Sequence, residues 1–358
     1  MCRGKGTMMR IHLTNSQRTF RATPNQPVLE AALAAGLNLP HSCKTGNCGL
    51  CRARLVEGAI HYPQGRPLGL SEQEAADGTI LMCQARAQSN LQLALAEVSP
   101  AGETKFKRLP CRIERAEPLS HDVIALYLRL PIVETFEFEA GQYIDIMLPE
   151  GRRRSFSIAS PPHDSKLLEL HVRRVPGGEF TERLFNQETR NALLQIEGPL
   201  GQFVYRPPVA PPPAAPILMV GGGTGLAPLK SMVRHLIETG NDRAISLYWG
   251  VRSERDLYAH GELERLERRA AQFRYRPVLS EPSHSWSGRR GWVHEAVLRD
   301  LGMLAGYDIY ASGPPAMIDA VRSEFAARGA DAARLFFDSF DYAPDSLERQ
   351  RINAATKS

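Results

Sequence analysis

"CKTGNCGLC", residues 43–51, places three thiols within nine residues and sets glycines between them. A fourth thiol, Cys83, follows after 31 intervening residues. The remaining two cysteines stand apart. Cys2 lies in a basic leader (1–8) expected to be disordered, and Cys111 lies in a strand-like segment where a buried apolar role is expected. The four clustered thiols could staple a fold, hold zinc, or hold something that moves electrons. Six cysteines in 358 residues do not make a disulfide scaffold. The opening, MCRGKGTMMR, has no apolar core of an export signal, so a cytoplasmic protein is expected; Met8 or Met9 could be the true start. Structural zinc draws on two short knuckles on separate hairpins, whereas here one loop offers three ligands and a distant strand one.

The spacing C-x4-C-x2-C with a distant fourth cysteine is that of a [2Fe–2S] site, with Cys43, Cys48, Cys51 and Cys83 as ligands. Gly46 and Gly49 let the loop wrap closely enough for backbone N–H groups to face electron-rich sulfur. A Rieske site would need a C-x-H pair, which is absent, and this argues against the chain being an oxygenase itself. His41 could modulate the cluster, but a solvated loop histidine is the expectation. "PHSCKTGNCGLCRARLVEG" carries a resemblance of residues 9–98 to plant-type ferredoxin domains, which implies an α+β, β-grasp fold. With eight Lys plus Arg against six Asp plus Glu, this segment is not acidic as many free ferredoxins are. A tethered carrier does not need long-range charge to find its reductase, because the linker supplies effective concentration.

Around this unit the chain has the composition of a globular protein, 43% apolar and 23% charged, and its length suits two or three domains. No stretch is apolar enough for a membrane span. The net charge of +5 is modest, and no basic stripe with interleaved aromatics marks a nucleic-acid surface. The short runs Arg152–Arg154 and Arg173–Arg174 are read as anion sites for a small ligand. Residues 9–22 read as a hairpin about Asn15-Ser16, followed by a helix that Gly36 ends. A polar linker (99–107) leads to short strands with turn signals over 108–206, the pattern of an antiparallel barrel. "RPPVAPPPAAP", with six prolines in eleven residues, is a stiff spacer, and 207–216 is taken as the linker. From 217 to 340 strands alternate with helices at 260–271, 292–301 and 315–328, which means an α/β parallel sheet. Residues 341–358 form a polar tail.

In the barrel, Arg154-Ser155-Phe156-Ser157 resembles the R-x-[YF]-[ST] signature of the ferredoxin–NADP reductase superfamily. An arginine at a barrel mouth can grip a pyrophosphate through paired charge-assisted bonds, and an aromatic two residues on points the same way along a strand. The resemblance implies that Phe156 packs on a flavin and Ser157 lies near its N5. Phe156 stands where tyrosine is commoner, so one hydroxyl contact is missing. "VPGGEFT" then offers Gly177, Gly178 and Thr181, a glycine turn opening a short helix whose N–H groups suit a phosphate, and EGPLG follows. Two phosphate sites favour FAD over FMN.

"GGGTGLAP" places Gly221, Gly222, Gly223, Thr224 and Gly225 between a strand and a helix, where backbone can approach a pyrophosphate. With Pro228 it resembles the superfamily's G-x-G-x-x-P, which implies Thr224 beside a nicotinamide. "YWGVRSERDLY" resembles the next strand and adenosine-side loop. There Arg252 and Arg255 could take a 2′-phosphate, but Glu254 and Asp256 stand beside them. The resemblance to oxygenase reductases leans the choice to NADH. "ASGPPAM" resembles the [CS]-G-P-P-x-M element and brings Ser312, Gly313 and Pro314; Ser312 stands where many relatives have cysteine, near the hydride-transfer position. "LFFDSF" resembles the C-terminal strand, with Phe340 near the flavin, although a core aromatic fits almost as well.

NAD(P)H gives up two electrons together, as a hydride, and a [2Fe–2S] cluster takes one. A flavin between them takes the hydride and releases the electrons singly. The three motif sets together therefore resemble the reductase components of multicomponent bacterial oxygenases, of the benzoate, toluene and methane monooxygenase types. They are as similar in architecture to CDP-6-deoxy-Δ3,4-glucoseen reductases, which serve a deoxysugar dehydratase. The resemblance implies a monomer that hands electrons to a terminal oxygenase or another accepting protein. A standalone flavin reductase or diaphorase, or an inactive metal-binding module, are the alternatives from other classes; the intact motif set speaks against decay.

Overall fold

The computed structural model describes residues 8–16, 18–37, 39–41, 44, 46, 49, 51–67, 69–95, 107–132, 135–149, 152–186, 191–207 and 215–340. Cys2, Cys43, Cys48, the tail, and most of both expected linkers lie outside the described residues. The chain divides into two compact units, Met1–Phe106 and Lys107–Ser358. No helix among the described residues is long and apolar enough to cross a membrane.

The first unit is the expected α+β fold. Strands β1 (Met9–Leu13) and β2 (Arg18–Ala22) form the hairpin, in which Ile11, Leu13, Phe20 and Ala22 turn inward at period two. Helix α1 (Val28–Ala34) follows Pro27, which cannot donate a backbone bond and suits a helix start. It buries Val28, Leu29, Ala31, Ala32 and Leu33, and Gly36 at φ +76° ends it. Next come β3 (Arg52–Glu57), β4 (Ile60–His61), α2 (Glu72–Ala76), β5 (Thr79–Leu81), β6 (Arg86–Ala87) and β7 (Leu91–Ala94). The sheet order is β2-β1-β7-β3-β5, with β1 and β7 parallel, and β4 pairs β6 separately. Ser71 and Glu74 close a capping box on α2.

The second unit opens with a six-stranded antiparallel sheet: β8 (Lys107–Pro118), β9 (Val123–Arg129), β10 (Tyr143–Met147), β11 (Arg153–Ser157), β12 (Leu167–Arg173) and β13 (Leu193–Leu200). The order is β11-β10-β13-β8-β9-β12, and a bridge between Ile158 and Leu170 draws the two edges together. Its core includes Ile113, Leu126, Leu128, Ile144, Ile146, Leu168 and Leu170. Cys111 is buried there and its thiol is pushed up to about 12 by desolvation, the inert role expected of it. Helix α3 (Glu179–Phe185) lies between β12 and β13.

An all-parallel sheet follows: β14 (Ile217–Gly222), α4 (Leu226–Glu238), β15 (Ile245–Val251), α5 (His260–Arg269), β16 (Phe273–Leu279), β17 (Arg289–Arg290), α6 (Val293–Leu301), β18 (Asp308–Gly313), α7 (Pro315–Ala327) and β19 (Leu335–Ser339). The order β17-β16-β15-β14-β18-β19 reverses direction at β14. The crevice at the carboxyl ends of β14 and β18 is therefore the place where such a sheet takes a ligand. Two apolar layers flank it, one including Met219, Leu229 and Trp249, the other Val220, Ile318 and Phe325.

Candidate functional site

Cys51 and Cys83 are both buried. Antiparallel pairing of Arg52 with Leu81 sets their segments side by side, and Met82 N donates to Cys51 O at 3.0 Å. Both sulfurs act on Tyr62, whose hydroxyl accepts from Leu81 N and whose pKa is raised, first by burial and then by the two thiols. The loop ahead of them is held from outside. Arg52 donates to Gly49 O and Gly69 O, each at 2.7 Å, and pairs with Glu74 at 3.0 Å. Gly49 has φ +73°, and a Cβ there would lie 1.8 Å from the Arg52 guanidinium; Gly46 has φ +85° and faces Pro67 and Gln84 as closely as 2.8 Å. Two buried thiols behind a glycine cradle fit a [2Fe–2S] cluster. His41 is fully buried, with Nδ1 2.6 Å from Leu39 O. The expectation of a solvated histidine is thus wrong: the ring is enclosed and bonded to backbone.

On the barrel, Arg154 and Phe156 share one face of β11, and Arg154 is half-buried. Phe156 packs on the rim of the barrel core, 6.0 Å from the Phe180 ring of α3. Ser157, half-buried, pairs in register with Tyr143 of β10. Gly177 takes φ +75° and Gly178 caps α3. The Thr181 hydroxyl is spent on this turn: it accepts from Val175 N and donates toward Val175 O and Gly178 O at 3.1–3.2 Å. A Cβ on Gly178 would stand 2.8 Å from that hydroxyl, so the turn requires glycine for closeness. This arginine, aromatic and glycine turn on one barrel edge suit the phosphate and ring ends of a flavin nucleotide.

The remaining arginines were misread as anion sites. Arg152 pairs with Glu179, Arg153 with buried Glu197, Arg173 with Asp122 and Arg174 with Glu182. Their carboxylates arrive from other elements, so each arginine ties its segment to a neighbour in the fold.

Gly221–Gly225 runs from β14 into α4, and Gly221 pairs in register with Ser312 of β18. The two loops interlock. A Cβ at Gly225 would stand 2.1 Å from Ser312 O, and one at Gly313 would stand 2.6 Å from Met317 Cε and 3.2 Å from Gly222 Cα. Thr224 stays half-buried at the crest. This leaves a loop with no side chains of its own beyond Thr224 at the switch point, the shape a dinucleotide phosphate needs. Ser312 is fully buried, its hydroxyl 3.4 Å from Asp338 Oδ2 on β19. Pro314 precedes α7, and Phe340 N donates to Gly313 O at 3.3 Å, which sets Phe340 beside the same loop. Arg252 and Arg255 are exposed, while Asp256 is tied to Ser253 and Glu254 to Ser283. Those Ser283 bonds hold the Glu254 carboxyl below the usual range, so it is charged at neutral pH.

One group of residues had no motif to announce it. Strand β12 turns Leu168, Leu170 and Val172 into the barrel core and Glu169, His171 and Arg173 the other way. Arg173 lies over the glycine loop, its Nη1 2.9 Å from where a Gly223 Cβ would be. Glu169 accepts from buried Lys230 of α4 at 2.7 Å and from His171 Nε2 at 3.0 Å, and Lys230 also meets Glu262 of α5 at 3.0 Å. Burial would raise the Glu169 carboxyl, but His171 and Lys230 outweigh it and hold it down at about 2. Burial holds His171 below the usual imidazole value, so it is neutral: Nε2–H donates to Glu169 and Nδ1 accepts from the Tyr258 hydroxyl at 3.0 Å. The alternation of Glu169, His171 and Arg173 with apolar residues is the only trace of this group in the sequence.

Comparison with known proteins gives the same three modules. Residues 11–88 match the 2Fe-2S iron-sulfur cluster binding domain, 110–205 the oxidoreductase FAD-binding domain, and 219–323 the oxidoreductase NAD-binding domain. The chain is 35% identical over 332 residues to the CDP-6-deoxy-L-threo-D-glycero-4-hexulose-3-dehydrase reductase of Yersinia pestis, covering 93% of this chain and 98% of that protein. It is 33% identical to reductase component 2 of terephthalate 1,2-dioxygenase from Comamonas sp., again over 93% and 98%. The crystal structure of an Amycolatopsis cytochrome P450 reductase superposes with a TM-score of 0.78 at 32% identity, covering 93% of this chain and 99% of that one.

Proposed function

The chain belongs to the NAD(P)H-dependent iron–sulfur flavoprotein reductases, and from that premise we propose that it draws on NADH and feeds single electrons to a terminal oxygenase. The observation that supports an oxygenase as acceptor is the 33% identity to the terephthalate 1,2-dioxygenase reductase component along 98% of its length. What supports transfer within the chain is the meeting of barrel and nucleotide-binding sheet where Arg173 of β12 covers Gly223. A bound flavin would supply the change from hydride to the single electrons that a [2Fe–2S] cluster can take. The chain's own residues do the placing. Arg154 and the Gly177–Gly178 turn would hold FAD phosphates, with Phe156 and Ser157 of the same strand as Arg154 on the flavin side. Gly221–Gly225 would carry the coenzyme pyrophosphate, and Thr224, Ser312, Gly313, Pro314 and Phe340, gathered at the same strand ends, would face its nicotinamide end. Arg252 lies on the adenosine side. Cys43, Cys48, Cys51 and Cys83 ligate the cluster; the first two lie outside the described residues.

NADH is favoured by the likeness to oxygenase reductase components, and Glu254 and Asp256 beside Arg252 and Arg255 set negative charge against a 2′-phosphate. The Yersinia relative, at 35% identity along its length, supports a second reading in which the acceptor is a deoxysugar dehydrase. Reconstitution separates them: the anaerobically reduced protein is mixed with a Rieske-type terminal oxygenase or with a CDP-hexulose dehydrase, and its reoxidation is followed. Rapid reoxidation by the oxygenase alone supports the first reading, by the dehydrase alone the second. Reoxidation by neither overturns both.

A further inference from the structure

Gly223 sits at the turn of the coenzyme loop in the left-handed region, φ +55°, and two arms of the molecule hold it. Arg173 covers it directly. The second arm is longer. Trp249 of β15 donates from Nε1 to Gly223 O at 2.8 Å, and the Tyr258 ring meets Trp249 edge-on at 4.9 Å. The Tyr258 hydroxyl donates to His171 of the barrel, and His171 is fixed by Glu169, which Lys230 holds in turn. Both arms therefore start from the same face of β12.

We propose that Tyr258 and Trp249 are positioning residues that couple barrel strand β12 to the Gly223 carbonyl, and so set the height of the coenzyme loop against the flavin barrel. Neither touches the reacting atoms. Trp249 is fully buried and Tyr258 is half-buried, and each has a polar atom spent on a neighbour in the chain of contacts rather than on solvent. Such a chain costs buried hydrogen bonds to maintain, and its use is precision: a displacement of about 1 Å between donor and acceptor can slow a transfer by as much as about a hundredfold.

The inference rests on coenzyme binding over Gly221–Gly225, so one readout is taken without coenzyme. In the flavin-loaded protein, Trp249→Phe removes the N–H donor and Tyr258→Phe removes only the hydroxyl while keeping the ring on Trp249. Amide hydrogen exchange over 221–226 should quicken about tenfold in Trp249→Phe and about threefold in Tyr258→Phe, with the first residues of β14 unchanged. Flavin bleaching at saturating NADH should slow by the same factors, while the dissociation constant of NAD+ moves less than about twofold. The double variant should be no slower than Trp249→Phe alone, because the contacts act in series. Unchanged exchange in both variants overturns the coupling, and so do effects that multiply in the double variant. If Trp249→Phe does not fold, Tyr258→Phe alone decides by its exchange and its rate. If exchange quickens but bleaching does not slow, the loop is braced without consequence for transfer, and the positioning role is overturned while the coenzyme site stands.

Discussion

Two glycine-rich loops carry the chemistry of this chain, and their glycines serve opposite ends. In the cluster loop of the first unit, the working groups are side chains, the thiols. Gly46 and Gly49 are there to let the backbone take positive φ and wrap, and a Cβ on either would meet side chains: Pro67, Gln84 and Arg52. In the coenzyme loop of the second unit, the backbone is the working group. Gly225 has an ordinary φ, and its Cβ would strike the backbone of Ser312 and Gly313. Gly223 apart, which also takes a positive φ, the first loop needs glycine for conformation and the second for closeness.

That contrast predicts different penalties. Gly225→Ala forces backbone apart at 2.1 Å and should cost about 3 kcal/mol or more, read as the loss of the flavin-reporting unfolding transition in urea. A loss under 1 kcal/mol would show that the β18 loop yields. Gly49→Ala pays a left-handed backbone of about 1–2 kcal/mol and displaces a flexible guanidinium, so iron content should fall while unit 2 unfolds as before. Gly240, φ +76° with nothing within 4 Å of its would-be Cβ, isolates the backbone part: Gly240→Ala should cost about 1 kcal/mol with coenzyme and iron content intact.

The smallest effect separates the units by pH. His171 is held below its unfolded value of 6.5, so the unfolded chain takes up the proton first and stability is lost as pH falls through that value. Between pH 7 and pH 6 unit 2 should lose less than about 1 kcal/mol, with His235 acting the same way. Glu74, which braces the cluster loop, has a carboxyl held low: burial would raise it, but Ser71 and Arg52 prevail. Its contribution is lost only below its ordinary 4.5, so unit 1 should not move in that window. Scanning calorimetry at pH 7 and 6 checks this, and a larger downward shift in unit 1 than in unit 2 would contradict it.

What was legible in the chain was whatever lay in one contiguous stretch. The thiol spacing, R-S-F-S, GGGTG and SGPP announce themselves because a loop or strand end brings its own residues together. What was hidden depends on partners far away. Lys230 meets Glu169 across 61 positions and Tyr258 meets His171 across 87, and only the fold that brings α4 and the segment before α5 to β12 joins them. The arginine runs misled for the same reason, since the carboxylate that neutralises Arg153 lies 44 positions on. His41 misled because its polarity was judged from its loop, not from the fold that encloses it.

The central claim is that one chain carries electrons from coenzyme through flavin to iron. The direct measurement is the visible and low-temperature EPR spectrum of anaerobically purified protein before and after NADH, with NADPH in parallel. Bleaching of both flavin and cluster absorbance with a rhombic reduced-cluster signal, stronger with NADH, is the predicted result. Flavin bleaching with no cluster signal, in protein that contains iron and sulfide, would contradict it.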